Sequence, residues 1–166
     1  MRIRRFDFDV LASLGIEYIS PFDFARNRLH VPVDFAFSNS VLEHVPREDV
    51  AMLLDNLAAD LSPRGTMIHC IHLEDHRDFS GHPFEFLSIP EETYTRALES
   101  SRGNRIRRSG WEDYFGGIKD TKSSFIYVWS RLGRELPTHI DQSVGYEDTD
   151  DLRVSHLGVY TQKDSI

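Results

Sequence analysis

Two stretches of this sequence gather side chains able to do chemistry. In "HCIHLEDHRDFSGH" (69–82), His69, His72, His76 and His82 stand with Asp75 and Asp78 among them, and imidazoles with carboxylates are the groups that hold zinc. On a helix His69, His72 and His76 would share a face. On a strand His69 and His72 point to opposite sides, and the β-prone composition after a Pro-x-Gly turn favours the strand, so no metal site is expected. The second stretch, "SNSVLEHV" (38–45), sets Ser38, Asn39 and Ser40 before Glu43 and His44. Small side chains let backbone N–H groups approach a ligand, and the carboxylate of Asp23 upstream accepts hydrogen bonds from a hydroxyl or amino group. Together they suit a nucleoside-like ligand. "RGNRIRR" adds Arg102, Arg105, Arg107 and Arg108, which read either as a solvated face or as the lining of a pocket for an anionic or sugar-like ligand.

These residues need elements to position them. "IEYIS" (16–20) is a short β-prone run, and "VDFAF" (33–37) is apolar on both pleat faces, the pattern of a strand covered by helices on both sides. Both read as central parallel strands. Pro46 opens a segment in which Val50, Leu53, Leu54, Leu57 and Leu61 recur at three and four, giving one apolar helical stripe. "SPRG" (62–65) stops it, and "TMIHCIHL" (66–73) is the next strand, so a right-handed βαβ unit is expected. Residues 75–104 are long for a plain connection and read as a lid or binding loop with a helix from Pro90 through Leu98. In "SGWEDYF" (109–115), Ser109 and Glu112 have capping-box spacing, and Gly116 and Gly117 end the helix. "SSFIYVWS" (123–130) and "LRVSHLGVYTQ" (152–162) complete an α/β pattern. In open α/β sheets ligands bind outside the carboxyl ends of the strands, which selects Pro21 to Asp23, Ser38 to His44, Leu73 to His76, and Arg105.

Size and charge bound the rest. At 166 residues the chain suits one domain with a real core. Hydrophobic residues make up 40%, and no apolar run approaches the roughly 18 to 20 residues that span a bilayer. The basic N-terminal residues precede no apolar segment, so a soluble, cytoplasmic protein is expected. Cys70 is the sole cysteine; it cannot form an internal disulfide and reads as a buried thiol suited to a reducing compartment. A net charge of −8 argues against general affinity for the nucleic-acid backbone.

"VDFAFSNSVLEHVPREDVAMLLDNLAADLSPRGTMIHCIHLEDH" (33–76) resembles the part of class I S-adenosylmethionine-dependent methyltransferases where a strand runs into a Leu-Glu-His turn, an amphipathic helix, a Pro-x-Gly turn and the next strand. "NRIRRSGWEDYF" (104–115) is similar to the segment before the late helix in bacterial methyltransferases of the glycan and small-molecule type, and "DLRVSHLGVYTQK" (151–163) to their closing strand. The resemblance implies a Rossmann-like sheet, mostly parallel with an antiparallel C-terminal strand. It implies that Phe22 and Asp23 lie near the adenine of the cofactor, and that Ser38, Asn39 and Ser40 lie against its adenosine or methionine part. Glu43 and His44 would face the reaction, Asp75 and His76 would reach toward the acceptor, and Asn104 and Arg105 would close over it. His76 or His44 is the expected base if the acceptor is a hydroxyl, because an imidazole titrates near neutrality.

The departures matter equally. Such enzymes open with a glycine-rich loop against the cofactor, whereas the first glycine here is Gly15 and no Gly-x-Gly occurs. The chain therefore reads as a truncated methyltransferase, the C-terminal part of a longer enzyme, with weak or absent binding of S-adenosylmethionine by itself. The alternative is a non-catalytic, degenerate methyltransferase-like partner protein. A small-molecule or glycan acceptor is expected, with no nucleic acid, no membrane, and a homodimer through an exposed sheet edge.

Overall fold

The computed structural model describes residues 8–165, so the basic stretch at 1–7 lies outside the described residues. Its elements run α1 (Phe8–Ser13), β1 (Val33–Asn39), α2 (Arg47–Asp60), β2 (Leu61–His72), α3 (Arg96–Arg102), α4 (Arg108–Gly116), β3 (Thr121–Ser130), α5 (Thr149–Leu152) and β4 (Val154–Lys163). The four strands form one sheet in the order β1-β2-β4-β3. β1 pairs parallel with β2, across the crossover helix α2. β4 pairs antiparallel with β2 on one side and β3 on the other.

The sheet is thus mixed, and the expectation of a mostly parallel one is corrected: one pairing is parallel and two are antiparallel. The chain leaves β3, folds back through residues 131–153, and inserts β4 between β2 and β3 rather than beside β3 at an edge. A single reversed strand in an interior position turns both of its pairings antiparallel. "IEYIS" is not a strand; residues 16–20 have no regular structure, with Ile16 and Tyr18 50% and 63% exposed. A β-prone run becomes a strand only where a neighbour takes its backbone groups.

Helices cover one face of the sheet. Val50, Leu54 and Ala58 of α2 and Trp111 and Phe115 of α4 pack on Met67, Ile71, Leu157 and Val159, and each of the larger aliphatic side chains and Phe115 contributes about 1.5–3 kcal/mol on burial. The α2 stripe follows the expected spacing, although Leu61 is the first residue of β2 rather than the last of the helix. Phe35 and Phe37, on the other pleat face of β1, are 56% and 61% exposed. The apolar character of both faces of β1 is therefore matched by a helix on one face only. Cys70 lies in the β2 register on that less covered side and is half-buried, not buried as expected.

Two further local readings change. The helix expected over Pro90 to Leu98 is a 3-10 turn at Glu91–Thr93 followed by α3, which Thr95 caps. Ser109 is not the cap of α4: the helix begins at Arg108, and a distant carboxylate, Asp151, accepts from the Ser109 N–H (3.3 Å) and its hydroxyl (2.5 Å). The 75–104 segment has apolar packing of its own, with Phe84, Phe86, Leu87 and Tyr94 set against Val144 and Leu152. Among the described residues, no helix is long and apolar enough to cross a membrane.

Candidate functional site

The turn after β1 is built by backbone geometry and one asparagine. Ser40 adopts a left-handed conformation (φ 50°), and its N–H donates to the Cys70 carbonyl at 2.9 Å, anchoring the mouth to β2. A short 3-10 turn, Leu42–His44, then drives Leu42 and Glu43 inward until each is 1% exposed. Asn104 holds this turn from outside: its amide donates to the carbonyls of Leu42 and Val45, both at 2.9 Å, and its backbone N–H donates to Glu43 at 2.7 Å. Its side-chain Oδ1 accepts from the Ile106 N–H at 3.2 Å. The polar groups of Asn104 are committed to framing the Leu-Glu-His turn.

Arg105 is likewise part of the frame. It is 2% exposed, sits at φ 58°, lies 3.7 Å over the Tyr94 ring, and donates to the Ile89 carbonyl, Glu91 and Ser143. Nor do the four arginines line a common pocket. Arg102 meets Asp75 at 3.4 Å, Arg108 meets Glu112 and Glu147, and Arg107 is fully buried. Arg107 donates to the carbonyls of Leu73, Leu152 and Val154 at 2.8, 3.1 and 2.6 Å. Burial pulls its pKa down to about 10 against the opposing pull of Asp151 and Glu74, so it is still charged at neutral pH. Arg105 and Arg107 are internal staples, while Arg102 and Arg108 pair with carboxylates from part-exposed positions.

At the carboxyl end of β2 the chain leaves His72, buries Glu74 and Asp75 (1% and 2% exposed), and presents His76. Asp75 accepts from the Arg77 N–H at 2.9 Å, closing its own turn. Four imidazoles stand in sequence across the sheet end. His44 meets His76 edge-on at 4.4 Å between centroids, His76 lies 4.6 Å from His72, and His72 stacks on His156 at 4.3 Å and 12°. Two buried carboxylates flank them. Glu43 Oε1 lies 3.5 Å from His76 Nε2, and Glu74 Oε2 lies 3.0 Å from His72 Nε2. Glu74 is also bound by Arg131 Nε at 3.1 Å. Burial, aided by repulsion from His72, holds His156 below the usual imidazole range. Glu43, His72 and His76 each offer a ligand atom within 4.8 Å of the others, and so do His72, Glu74 and His156.

Sequence reasoning singled out His44, His76 and Glu43 but missed His72 and His156 as members of one cluster. His156 is aligned with His72 by the antiparallel β2–β4 register, and no local pattern encodes that pairing. His69, another histidine of the first motif, faces the opposite side, with Nδ1 2.7 Å from Ser38 Oγ and its ring against Phe115. Burial lowers its pKa to about 4, so it is neutral.

An apolar cleft of about 620 Å³ runs along β1, lined by Ser38, Asn39, Phe24, Phe37 and Val41 among others. Ser38 and Asn39 open into it; Ser40 is engaged in the turn. Phe22 packs edge-on against Phe24 (4.7 Å), one step removed from the cleft, and Asp23 accepts from the Ala25 N–H at 2.9 Å.

No family model and no curated protein matches this chain. Solved structures do. An O-methyltransferase family protein from Burkholderia thailandensis matches at 12% identity and a TM-score of 0.50, covering 95% of this chain and 40% of that one. A possible exported protein from Bordetella parapertussis matches at 14% identity and a TM-score of 0.52, covering 95% of this chain and 48% of that one. The chain spans less than half the length of either. At such identities the likeness is one of fold: an α/β chain with a four-stranded mixed sheet, similar to methyltransferase folds.

Proposed function

We propose that this chain carries out S-adenosylmethionine-dependent methyl transfer to a small-molecule or sugar hydroxyl, in the cytoplasm and as part of a longer enzyme. The observation that carries the reading is the coincidence, at the carboxyl ends of β1 and β2, of an apolar cleft opened by Ser38 and Asn39 with a row of imidazoles. Ser38 and Asn39 would hold the adenosine side, with Phe22 and Asp23 behind them. When bound, the cofactor supplies a methyl group on a sulfonium. The protein's work is to hold the acceptor oxygen in line and to take its proton. His44 suits that role because its Nδ1 is 2.5 Å from the Ser100 carbonyl, which fixes the tautomer and leaves Nε2 as acceptor. Glu43 and Asp75 border the acceptor side, and Asn104 and Arg105 keep the turn that carries His44 in place.

Calorimetric titration of S-adenosylhomocysteine into the purified chain tests the cofactor side. With no Gly-x-Gly anywhere in the sequence, weak binding is expected, with Kd on the order of 1 mM. Micromolar binding would overturn that weakness. Label transfer from S-adenosylmethionine to a panel of hydroxyl acceptors is expected to fall about 100-fold or more in His44→Asn, the scale of a lost general base. The competing reading, a non-catalytic methyltransferase-like partner protein, is favoured by the exposed Phe35 and Phe37. Absence of both binding and transfer would select it.

A further inference from the structure

We propose that Glu43, His72 and His76 form a binding site for one divalent transition-metal ion, zinc by its donor set. Two imidazoles and a carboxylate are the ligands of three-coordinate protein sites that leave a position open for water or substrate. The three come from separate places, the turn after β1, the end of β2 and the loop beyond it, and the fold brings their donor atoms within 4.8 Å. Ligands at about 2.1 Å from one ion lie about 3.4 Å apart in a tetrahedron. The Glu43 Oε1 to His76 Nε2 separation of 3.5 Å already has that spacing.

The state of these atoms points the same way. Glu43 is 1% exposed, and neither of its carboxylate oxygens has a hydrogen-bond partner; His76 Nε2 is also buried without one. A buried carboxylate with no donor is expensive, by several kcal/mol for an ion without compensation, and the imidazole of His76 faces it at 3.5 Å. A cation between them satisfies all three atoms at once. His72 is oriented as metal-bound histidines are, with one ring nitrogen on a carboxylate: Nε2 lies 3.0 Å from Glu74 Oε2, and Glu74 is fixed in turn by Arg131 at 3.1 Å. His72 brings a ring nitrogen within 4.8 Å of the donors of Glu43 and His76. The overlapping triad of His72, Glu74 and His156 is the weaker site, because the Arg131 guanidinium already neutralises Glu74 and repels a second cation.

The test needs neither methyl donor nor acceptor, so it is independent of the activity proposed above. The purified chain is stripped with chelator and titrated with zinc by calorimetry and with cobalt(II) by visible absorption. One zinc per chain is expected, together with the intense d–d bands of low-coordinate cobalt. Glu43→Gln and His76→Asn should each lower zinc affinity by at least about 10-fold and remove the cobalt bands. His156→Asn and His82→Asn should leave both within about twofold. Circular dichroism of each metal-free variant checks folding, and His76→Asn, at a side chain 21% exposed, remains decisive if Glu43→Gln does not fold. The proposal is overturned if the wild-type chain takes up less than one equivalent, if Glu43→Gln and His76→Asn bind as wild type does, or if His156→Asn abolishes binding.

Discussion

His69 and His72 are three residues apart and have opposite fates. His69 points into the helical side of the sheet, where it is 1% exposed and burial holds its pKa near 4. In the unfolded chain it titrates at about 6.5. Between those values the unfolded state binds more protons, so His69 leaves stability intact above pH 6.5 and subtracts from it progressively as pH falls to 4. A shift of this size amounts to about 3 kcal/mol at the acid end. Denaturant unfolding across pH 4–7 should therefore show a shallower acid loss in His69→Leu than in the wild type, and parallel profiles would contradict the assignment. This side chain was legible as a strand residue, but its neutrality was not, because burial depends on α4 laying Phe115 beside it.

Buried polar staples join several of the helices and strands. Arg107 is the strongest case. One guanidinium satisfies carbonyls just beyond β2 (Leu73), in α5 (Leu152) and at the start of β4 (Val154). In Arg107→Met those acceptors are stranded and Asp151 and Glu74 lose their buried counter-charge, so a loss of about 3–5 kcal/mol is expected, read as a drop in thermal midpoint. A variant within 0.5 kcal/mol of wild type, roughly the range of an ordinary surface substitution, would show that the carbonyls find other donors. The four arginines of "RGNRIRR" are conspicuous in the sequence, yet their separate partners are not. Arg102, Arg105, Arg107 and Arg108 go to different elements, and charge density alone cannot distribute them. Asp151 capping α4 from another helix is a similar case, since capping boxes are local in sequence and this cap is local only in space.

At the scale of the molecule, β1 is the exposed matter. It ends the sheet order among the described residues, leaving backbone groups on its outer edge, and Phe35 and Phe37 stand 56% and 61% exposed beside it. Such an edge is a template for pairing, and the expected occupant is the β1 edge of a second copy. Analytical ultracentrifugation should find a concentration-dependent dimer that Phe37→Lys dissociates without loss of thermal stability, because Phe37 adds little to the core of its own chain. A monomer at all concentrations would remove the homodimer from the account.

Apolar runs and helical spacing sufficed to locate β1, α2, β2, β3 and β4, whereas α4 was placed by a capping box that the structure does not use. The Leu-Glu-His turn marked Glu43 and His44 through its resemblance to the methyltransferase segment, not through any period. "IEYIS" shows the limit: five residues can be fit for a strand, and only a neighbouring backbone makes them one. Tertiary structure alone decided that β4 would run backwards through the middle of the sheet. That insertion aligns His156 with His72, while the loop after β2 carries His76 to Glu43. The cluster of imidazoles and carboxylates is thus a product of strand order and loop path, contacts between residues far apart in the chain that no local period encodes.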